Sequence, residues 1–365
     1  MDKQTSLTID YAKAIGISLV VIGHTAWKPF QTLDPYYFHM PLFFFIGGFL
    51  CSGRKPIIKC VQDTFFKYIT YTLVTYAIVA CIAISIKLSF NAPINVGQPF
   101  ANNVIDTIKL ALERNFHNNL YFLVGWFLLA YAISSLILNC FIKLTLKSND
   151  DNIKTFISIT TIWFILIASY LITSNKENYW NQYLNLTIQV LMAFCFMLFG
   201  NITRRHKSKF NNVYVAVLSF LIVSIMIANN LYGLPVMAWS MYKPNVFLFF
   251  AGALLAIYVV MFTANCIARS CENSKLLLLS AYSKSIMSYH LVFFLFLDAV
   301  SYKIFNYNIE LATPTKHYYT ANSWVFYITL PLMLIPLLAY YFDKAKVFIM
   351  VKVLPSTIKR LQNLI

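Results

Sequence analysis

Ten stretches of mostly apolar residues constrain this chain more than any other feature. A transmembrane helix needs about 20 mostly apolar residues. The stretches lie near 9–28, 38–53, 68–88, 120–143, 155–173, 183–202, 212–231, 244–264, 280–301 and 322–342. Only 12% of the chain is charged, whereas a soluble domain carries about 25%. The pattern predicts an all-α integral membrane protein of about ten transmembrane helices, as one domain over 1–365 with no soluble appendage.

The basic residues predict the orientation of these helices. Cytoplasmic loops of membrane proteins carry an excess of Lys and Arg. With the N-terminus inside, 20 of the 29 Lys and Arg residues fall in inner segments and 8 in outer ones, and Lys13 lies within the first helix. Trp27, Trp180, Trp239 and Trp324 fall at predicted outer helix ends, where indole rings prefer the interface. We therefore expect both termini in the cytoplasm.

Charge and cysteine patterns exclude several other classes. The net charge of +16 is spread between apolar runs and forms no single basic face, so we expect no nucleic-acid partner. The seven cysteines contain no CxxC pair, which indicates neither a disulfide framework nor a zinc site. No cluster has metal-ligand spacing, and we expect no metal. The N-terminus lacks the pattern of a cleaved signal peptide. The polar connection 89–119 is predicted to be a lid or surface loop with a short amphipathic helix.

Three ionisable residues lie within the first predicted helix. Asp10, Lys13 and His24 share one stripe, because eleven residues from Lys13 to His24 correspond to about three turns and 16 Å. Ionisable groups in a membrane span are costly and usually face a bundle interior or a wet cavity. The simpler interpretation is that Lys13 reaches the headgroups, Asp10 pairs with it, and His24 only binds another helix. The functional interpretation assigns a site to this stripe.

In the functional interpretation, His24 is a general base. A buried neutral imidazole can accept a proton from a hydroxyl group near neutral pH. Asp10 is about 21 Å from it along the helix and cannot orient it. Asp34, Glu113 and Asp298 remain alternative candidates for that role.

The second predicted segment begins with another histidine. It reads Phe38-His39-Met40-Pro41-Leu42-Phe43-Phe44-Phe45-Ile46-Gly47-Gly48. His39 follows the outer end of the first helix, so the two histidines can approach each other, and the glycine pair allows close helix packing. Taken alone, His39 fits an interfacial cap equally well.

These two segments resemble the acyltransferase-3 family of membrane O-acyltransferases, and within it the fucose 4-O-acetylase-like branch. The resemblance rests on Ile9-Asp10-Tyr11-Ala12-Lys13 through Gly23-His24 and on Phe38–Phe45. Weaker similarities are found in Asn119–Leu123 and in Ser285-Ile286-Met287-Ser288-Tyr289-His290. The family usually has Arg where this chain has Lys13, and often Ser where it has Gly47.

The resemblance implies transfer of an acyl group, often acetyl from acetyl-CoA, to a hydroxyl of a cell-surface or lipid-linked carbohydrate, in a bacterial inner membrane. No permanently bound cofactor is implied. Lys13 and the inner residues Arg54 and Lys55 would attract the phosphates of the donor, although a plain cytoplasmic anchor explains Arg54 and Lys55 as well. His290 would line the same cavity or be a packing residue. His117, His206 and His317 are assigned to loops without a catalytic role.

Two other functions remain open at this point. A transporter of a polysaccharide or its precursor would use Asp10, Lys13 and His24 as a gate or proton relay, but no inverted repeat is evident. A partner subunit without chemistry of its own would leave the charged stripe unexplained. The oligomeric state and the membrane face of the reaction are not encoded in any pattern found.

Overall fold

Within its described residues, the computed structural model is all-helical. It describes residues 2–25, 34–145, 150–175, 181–206, 210–229, 236–270, 272–318, 320 and 322–348. These described residues form thirteen α-helices: α1 Lys3–Gly23, α2 His39–Leu50, α3 Ile57–Thr64, α4 Thr70–Ser89, α5 Val104–Glu113, α6 Gly125–Thr145, α7 Asp151–Ser174, α8 Gln182–Arg205, α9 Val213–Ala228, α10 Val246–Ser270, α11 Ser274–Ala281, α12 Ser283–Phe305 and α13 Ser323–Phe348.

Eight of these helical stretches are long and apolar enough to cross a membrane. They include Ile57–Ser89, where a π-helical turn at Phe65–Ile69 joins α3 to α4, and Leu120–Thr145, where a 3-10 turn precedes α6. The remaining two predicted segments coincide with α2 and α9, which have 12 and 16 residues. At 1.5 Å per residue α2 is only about 18 Å long. It ends at Leu50 because Cys51 is extended.

The first helix is shifted relative to its predicted bounds. It begins at Lys3, where the side chain of Asp2 accepts a hydrogen bond from Thr5 N. It ends at Gly23, and His24 is the C-cap, with its backbone N–H on the carbonyls of Val21 and Ile22. The prediction of a helix through residue 28 is therefore wrong for His24 and Thr25. Trp27 and Trp180, which were used to predict the orientation, lie outside the described residues.

The long polar connection contains the predicted amphipathic helix, α5. Asn103 caps it by accepting a hydrogen bond from Asp106 N. The connection is held to α4, because the Asn119 side chain donates to the carbonyl of Tyr76 and the Tyr76 hydroxyl donates to the carbonyl of Pro99. The prediction of a short amphipathic helix within 89–119 is confirmed.

The buried half-helix α2 packs against α8 with their backbones in contact. A methyl group built on Gly48 would collide with the backbone of Met197, and one built on Gly200 would collide with the carbonyl of Phe45. Small residues permit such close approach between helices in membranes. At the same crossing the C-terminal carbonyls of α2 are satisfied by α8, since Asn201 donates to Cys51 O at 3.0 Å and Arg204 to Leu50 O at 2.9 Å.

We expect Gly48→Ala to destabilise the protein, because the added methyl meets the unyielding backbone of Met197. Overpacking a well-packed core costs about 1–3 kcal/mol of folding free energy. We expect the cost here to be about 3 kcal/mol, because the backbone of Met197 cannot move aside as a side chain could. Thermal denaturation of detergent-solubilised protein measures the effect. Gly23→Ala is the matched control, because its nearest neighbours would be an ordinary 3.5 Å or more away. Equal denaturation temperatures for the two variants would contradict the close crossing.

Candidate active site

A cavity of about 180 Å³ lies at the C-terminal end of α1. Its walls come from α1, α2, α6, α12 and the loops between helices. Four histidines line it, and the rest of the lining is mainly apolar and aromatic: His24, His39, His117 and His290, with Val20, Tyr36, Met40, Leu123, Val124, Trp126, Val236, Met237, Ala238, Trp239, Met287, Leu291 and Thr315. Three of the histidines predicted as site residues, His24, His39 and His290, are thus brought together.

His24 is held by a tyrosine from the next turn of the chain. Its Nδ1 is hydrogen-bonded to the Tyr36 hydroxyl at 3.1 Å, with a direction that depends on the imidazole tautomer. Because His24 caps α1, it lies at the negative end of the helix dipole. That position favours a positive charge, by up to about 2 kcal/mol in partly buried geometries. The helix end therefore stabilises His24 after it has accepted a proton.

His39 opens α2 and faces the same tyrosine. Its Nδ1–H donates to the carbonyl of Pro35, and its ring meets the Tyr36 ring edge-on at 5.2 Å between centroids. The link is local, because the 3-10 turn Pro35–Tyr37, capped by Asp34, leads directly into α2. Tyr36 thus contacts both histidines, and burial beside Asp34 raises its pKa well above the usual value, so the hydroxyl stays protonated.

His290 lies in the middle of α12 with its ring 5.1 Å from that of His24. It is 1% exposed. Its Nδ1–H donates to the carbonyls of Met287 at 2.9 Å and Ile286 at 3.1 Å. Since one ring nitrogen of a neutral imidazole is a donor and the other an acceptor, Nε2 carries a lone pair. That atom is buried and has no partner among the described residues.

His117 also lines the cavity, although the sequence predicted no catalytic role for it. Its Nδ1–H donates to the carbonyl of Arg114 at 3.2 Å, and its ring stacks on Trp239 at 4.0 Å. Burial lowers the pKa of His117 below its usual value, which keeps the imidazole neutral. Its Nε2 is another buried acceptor without a partner in the described part of the chain. No local sequence signal predicts that His117 lines the cavity, because its position results from the folding of residues 89–119.

The remaining predicted site residues lie elsewhere. Lys13 and Asp10 form an ion pair of 3.3 Å, and Asp10 also accepts a hydrogen bond from Ser280 of α11 at 2.9 Å. Neither lines the cavity. Arg54 and Lys55 lie in the exposed link between α2 and α3, where Lys55 pairs with Asp63 at 2.9 Å. That partner raises the pKa of Lys55.

Asp298, a candidate to orient His24, binds other groups. Its Oδ2 accepts from His317 Nδ1 at 2.9 Å, and its Oδ1 accepts from the Tyr327 hydroxyl at 2.6 Å and from Tyr318 N at 2.9 Å. His317 Nε2 lies 3.3 Å from the carbonyl of Pro314, so the imidazole contacts α12 on one side and its own loop on the other. His317 lies in a loop, as predicted, and its bond to Asp298 anchors the loop 306–318 to α12.

The other two candidate acids differ in position. Glu113 is an exposed residue that approaches Lys109 to 3.9 Å, so it does not orient His24. Asp34 lies beside the site. Its Oδ1 accepts a hydrogen bond from Tyr36 N at 3.0 Å and so caps the turn that carries Tyr36. The hydroxyl bonded to His24 is therefore positioned by Asp34 through the backbone.

These contacts define what the cavity can do. The imidazoles of His117 and His290 each carry a buried acceptor nitrogen, and His24, whose ring is hydrogen-bonded to Tyr36, lies beside His290. The walls around them are largely apolar, and a water-poor site strengthens hydrogen bonds to polar groups. The arrangement is suited to drawing a proton from a hydroxyl group.

The comparisons with known proteins agree with this geometry. A family model described as an acyltransferase domain, that of the acyltransferase-3 family, matches residues 7–342. The chain belongs to the acyltransferase-3 family. Neither the curated proteins nor the solved structures contain a match. The match runs from within α1 to within α13 and includes every residue that lines the cavity. With its eight long apolar helices, this acyltransferase is an integral membrane protein. The assignment to the fucose 4-O-acetylase-like branch stays a prediction.

We expect Asp298→Asn to lower the stability of this acyltransferase, because the carboxylate of Asp298 accepts three hydrogen bonds and the amide nitrogen that replaces one oxygen cannot accept any. Leaving a buried donor without its acceptor costs about 1–3 kcal/mol. The temperature at which detergent-solubilised protein loses its monodisperse elution peak measures the loss. Glu310→Gln is the control, since that carboxylate is exposed on the same loop. A variant as stable as this control would show that the Asp298 network does not anchor the loop.

Proposed function

We propose that this protein moves an acyl group, acetyl from acetyl-CoA, to a hydroxyl of a cell-surface or lipid-linked carbohydrate, with His24 as general base. The observation that carries the proposal is the cluster of His24 and His290 in one cavity of an acyltransferase domain. The family resemblance supports the acetyl donor, the carbohydrate acceptor and a bacterial inner membrane as the location.

In the proposed reaction His24 takes the proton of the acceptor hydroxyl as its oxygen attacks the thioester carbonyl. The tetrahedral intermediate collapses, the carbon–sulfur bond breaks, and the thiolate of CoA takes the proton back from His24. The products are the ester and CoA with a free thiol. The position of His24 at the C-terminal end of α1 supports this role, because the charge it gains is stabilised there.

His290 has a different role in this proposal. It is fully buried within α12 and is further from solvent than His24, so a positive charge on it costs more. Its Nε2 instead accepts a hydrogen bond from the acceptor. A carbohydrate suits this cavity because it brings several hydroxyl donors, and His290 and His117 each hold a buried acceptor nitrogen without a partner among the described residues. His39 completes the wall beside Tyr36.

The donor is proposed to arrive from the cytoplasmic side. In the predicted orientation Arg54 and Lys55 lie at that side, where their charge attracts the phosphates of acetyl-CoA over a distance of about 10 Å. Lys13 lies further along α1 toward the cavity, and its ion pair with Asp10 moderates its charge. These residues guide the donor without touching the reacting atoms.

We expect His24→Ala to lower acetyl transfer by about 10²–10⁴-fold, the usual contribution of a general base. The assay incubates membranes containing each variant with labelled acetyl-CoA and cell-envelope glycan and measures label in the glycan. His206→Ala is the matched control, because His206 also caps a helix, but its side chain bonds to Thr155 and does not line the cavity. Equal incorporation by wild type and His24→Ala would rule out His24 as the base. Export of glycan without incorporation would favour a transporter.

We expect Tyr36→Phe to lower kcat by about 10- to 100-fold and to leave KM nearly unchanged, because it removes the bond that orients His24 and supports its charge. Hydrogen bonds to charged groups contribute about 1.5–3 kcal/mol, which sets the size of the effect. Steady-state rates with purified protein measure it. Tyr214→Phe is the control, since that ring is 83% exposed on α9. An unchanged kcat in Tyr36→Phe would show that Tyr36 does not position the base.

A further inference from the structure

Lys284, the second residue of α12, is a half-buried cation that the site described above does not use. Its Nζ lies 3.5 Å from the centroid of the Tyr71 ring and 5.7 Å from that of Tyr68. It also donates a hydrogen bond to the carbonyl of Lys67 at 3.1 Å. The ammonium group is therefore held in one place between α12 and the start of α4.

Lys284 differs from Lys13, Lys55 and Lys67 in the charged groups that surround its ammonium group. Lys13 pairs with Asp10, and Lys55 and Lys67 both pair with Asp63. Lys284 forms no ion pair with any carboxylate in the described part of the chain. Aromatic rings offset only about 0.5–2 kcal/mol of the cost of burying a cation. A net positive charge therefore remains at this position.

The helix dipole increases this positive potential. Lys284 lies in the first turn of α12, where the helix end carries a partial positive charge and favours anions over cations. A lysine at this position is unfavourable for the helix alone. An incoming anion would be attracted by both the ammonium group and the helix end.

The backbone opposite Lys284 has an unusual form. The carbonyl that Lys284 binds belongs to the π-helical turn Phe65–Ile69 between α3 and α4. Single π-helical turns within helices are rare and often occur at functional sites. The turn exposes a backbone acceptor to Lys284 and leaves the lysine side chain of residue 67 on the surface with Asp63.

A polar pair lies beyond Lys284 along α12, on the way to the level of the cavity. Ser288 follows one turn later on α12, and its hydroxyl is hydrogen-bonded to the Tyr71 hydroxyl at 3.0 Å. His290, which lines the cavity, lies six residues beyond Lys284, or about 9 Å along the helix axis. That distance is shorter than an extended pantetheine arm. A phosphate at Lys284 would thus leave the thioester within reach of the histidines.

We propose that Lys284, at the N-terminal turn of α12 and facing the π-helical turn of 65–69, binds a phosphate group of the acyl donor. The inference rests on the proposed function, since it names the donor site of that same reaction. Lys284 is then the residue that fixes the phosphorylated end of the donor, while Lys13 is held by Asp10. In the predicted orientation Lys284 lies on the cytoplasmic side, from which a CoA thioester comes.

The test compares two donors that differ in phosphate. Acetyl-CoA and S-acetyl-pantetheine carry the same thioester, but only acetyl-CoA carries phosphate. With purified protein and saturating glycan, Lys284→Met should raise KM for acetyl-CoA about tenfold or more and leave kcat/KM for S-acetyl-pantetheine unchanged. Lys284→Arg should restore much of the affinity. The control is Lys303→Met at the other end of α12, where the lysine also lies over a tyrosine ring, Tyr302, at 5.3 Å; both donors should react as with wild type.

Equal losses with both donors, or no loss with acetyl-CoA, would overturn the inference. A second measurement needs no variant: CoA, but not pantetheine, should protect Lys284 of the wild-type protein from an amine-acylating reagent, as read by peptide mass spectrometry. Equal labelling with and without CoA would also overturn it. Failure of the proposed function looks different, because wild-type protein would then transfer acetyl from neither donor.

Discussion

The architecture depends on how a half-length helix is buried. Helix α2 is too short to cross a bilayer, so its backbone ends must be satisfied inside the protein, because lipid offers no hydrogen bonds. Its C-terminal end is satisfied by Asn201 and Arg204 of α8, and Gly48 and Gly200 allow the two backbones to touch. Its N-terminal end delivers His39 to the cavity. The close crossing with α8 therefore fixes the position of α2 and, with it, the position of His39 in the cavity wall.

The need to satisfy backbone hydrogen bonds within the protein also applies to the end of α1 at the cavity. Its last residues bond back onto the turn before, with His24 N on Val21 O and the Thr25 hydroxyl on Ile22 O. The chain then returns at Asp34 through a 3-10 turn whose tyrosine contacts both His24 and His39. Two helix ends and one turn thus bring three polar side chains to a place that is otherwise apolar, where His39 is held by the backbone and His24 by Tyr36.

The sequence predicted the helices well because apolar length is a local property. It also predicted that His24 and His39 lie close, since the two segments are adjacent along the chain. It did not predict His117, because the loop that carries it is folded onto α4 by the long-range bonds of Asn119 and Tyr76. The ion pair of Asp298 and His317 was missed for a similar reason. A histidine in a polar loop gives no local sign that the loop packs onto a helix.

Lys13 shows a different limit of the sequence. Its three-turn spacing from His24 is a true property of the helix, and the bond to Asp10 is present as the simpler interpretation stated. What the spacing could not reveal is the other helix that faces the stripe: Asp10 is also bonded to Ser280 of α11. The carboxylate thus holds Lys13 at the α1–α11 contact.

The balance of donors and acceptors in the cavity limits what can fill it. Two histidines, at 117 and 290, bond a backbone carbonyl through Nδ1–H, and their Nε2 atoms are buried acceptors without a partner among the described residues. A buried acceptor without a partner costs about 1–3 kcal/mol, and an aliphatic ligand would leave that cost in place. A ligand that brings hydroxyl groups removes it, and His24 lies beside His290 with 5.1 Å between the ring centroids. In the proposed reaction the buried acceptor nitrogens therefore bind hydroxyl groups of the acceptor, and the neighbouring His24 takes the proton.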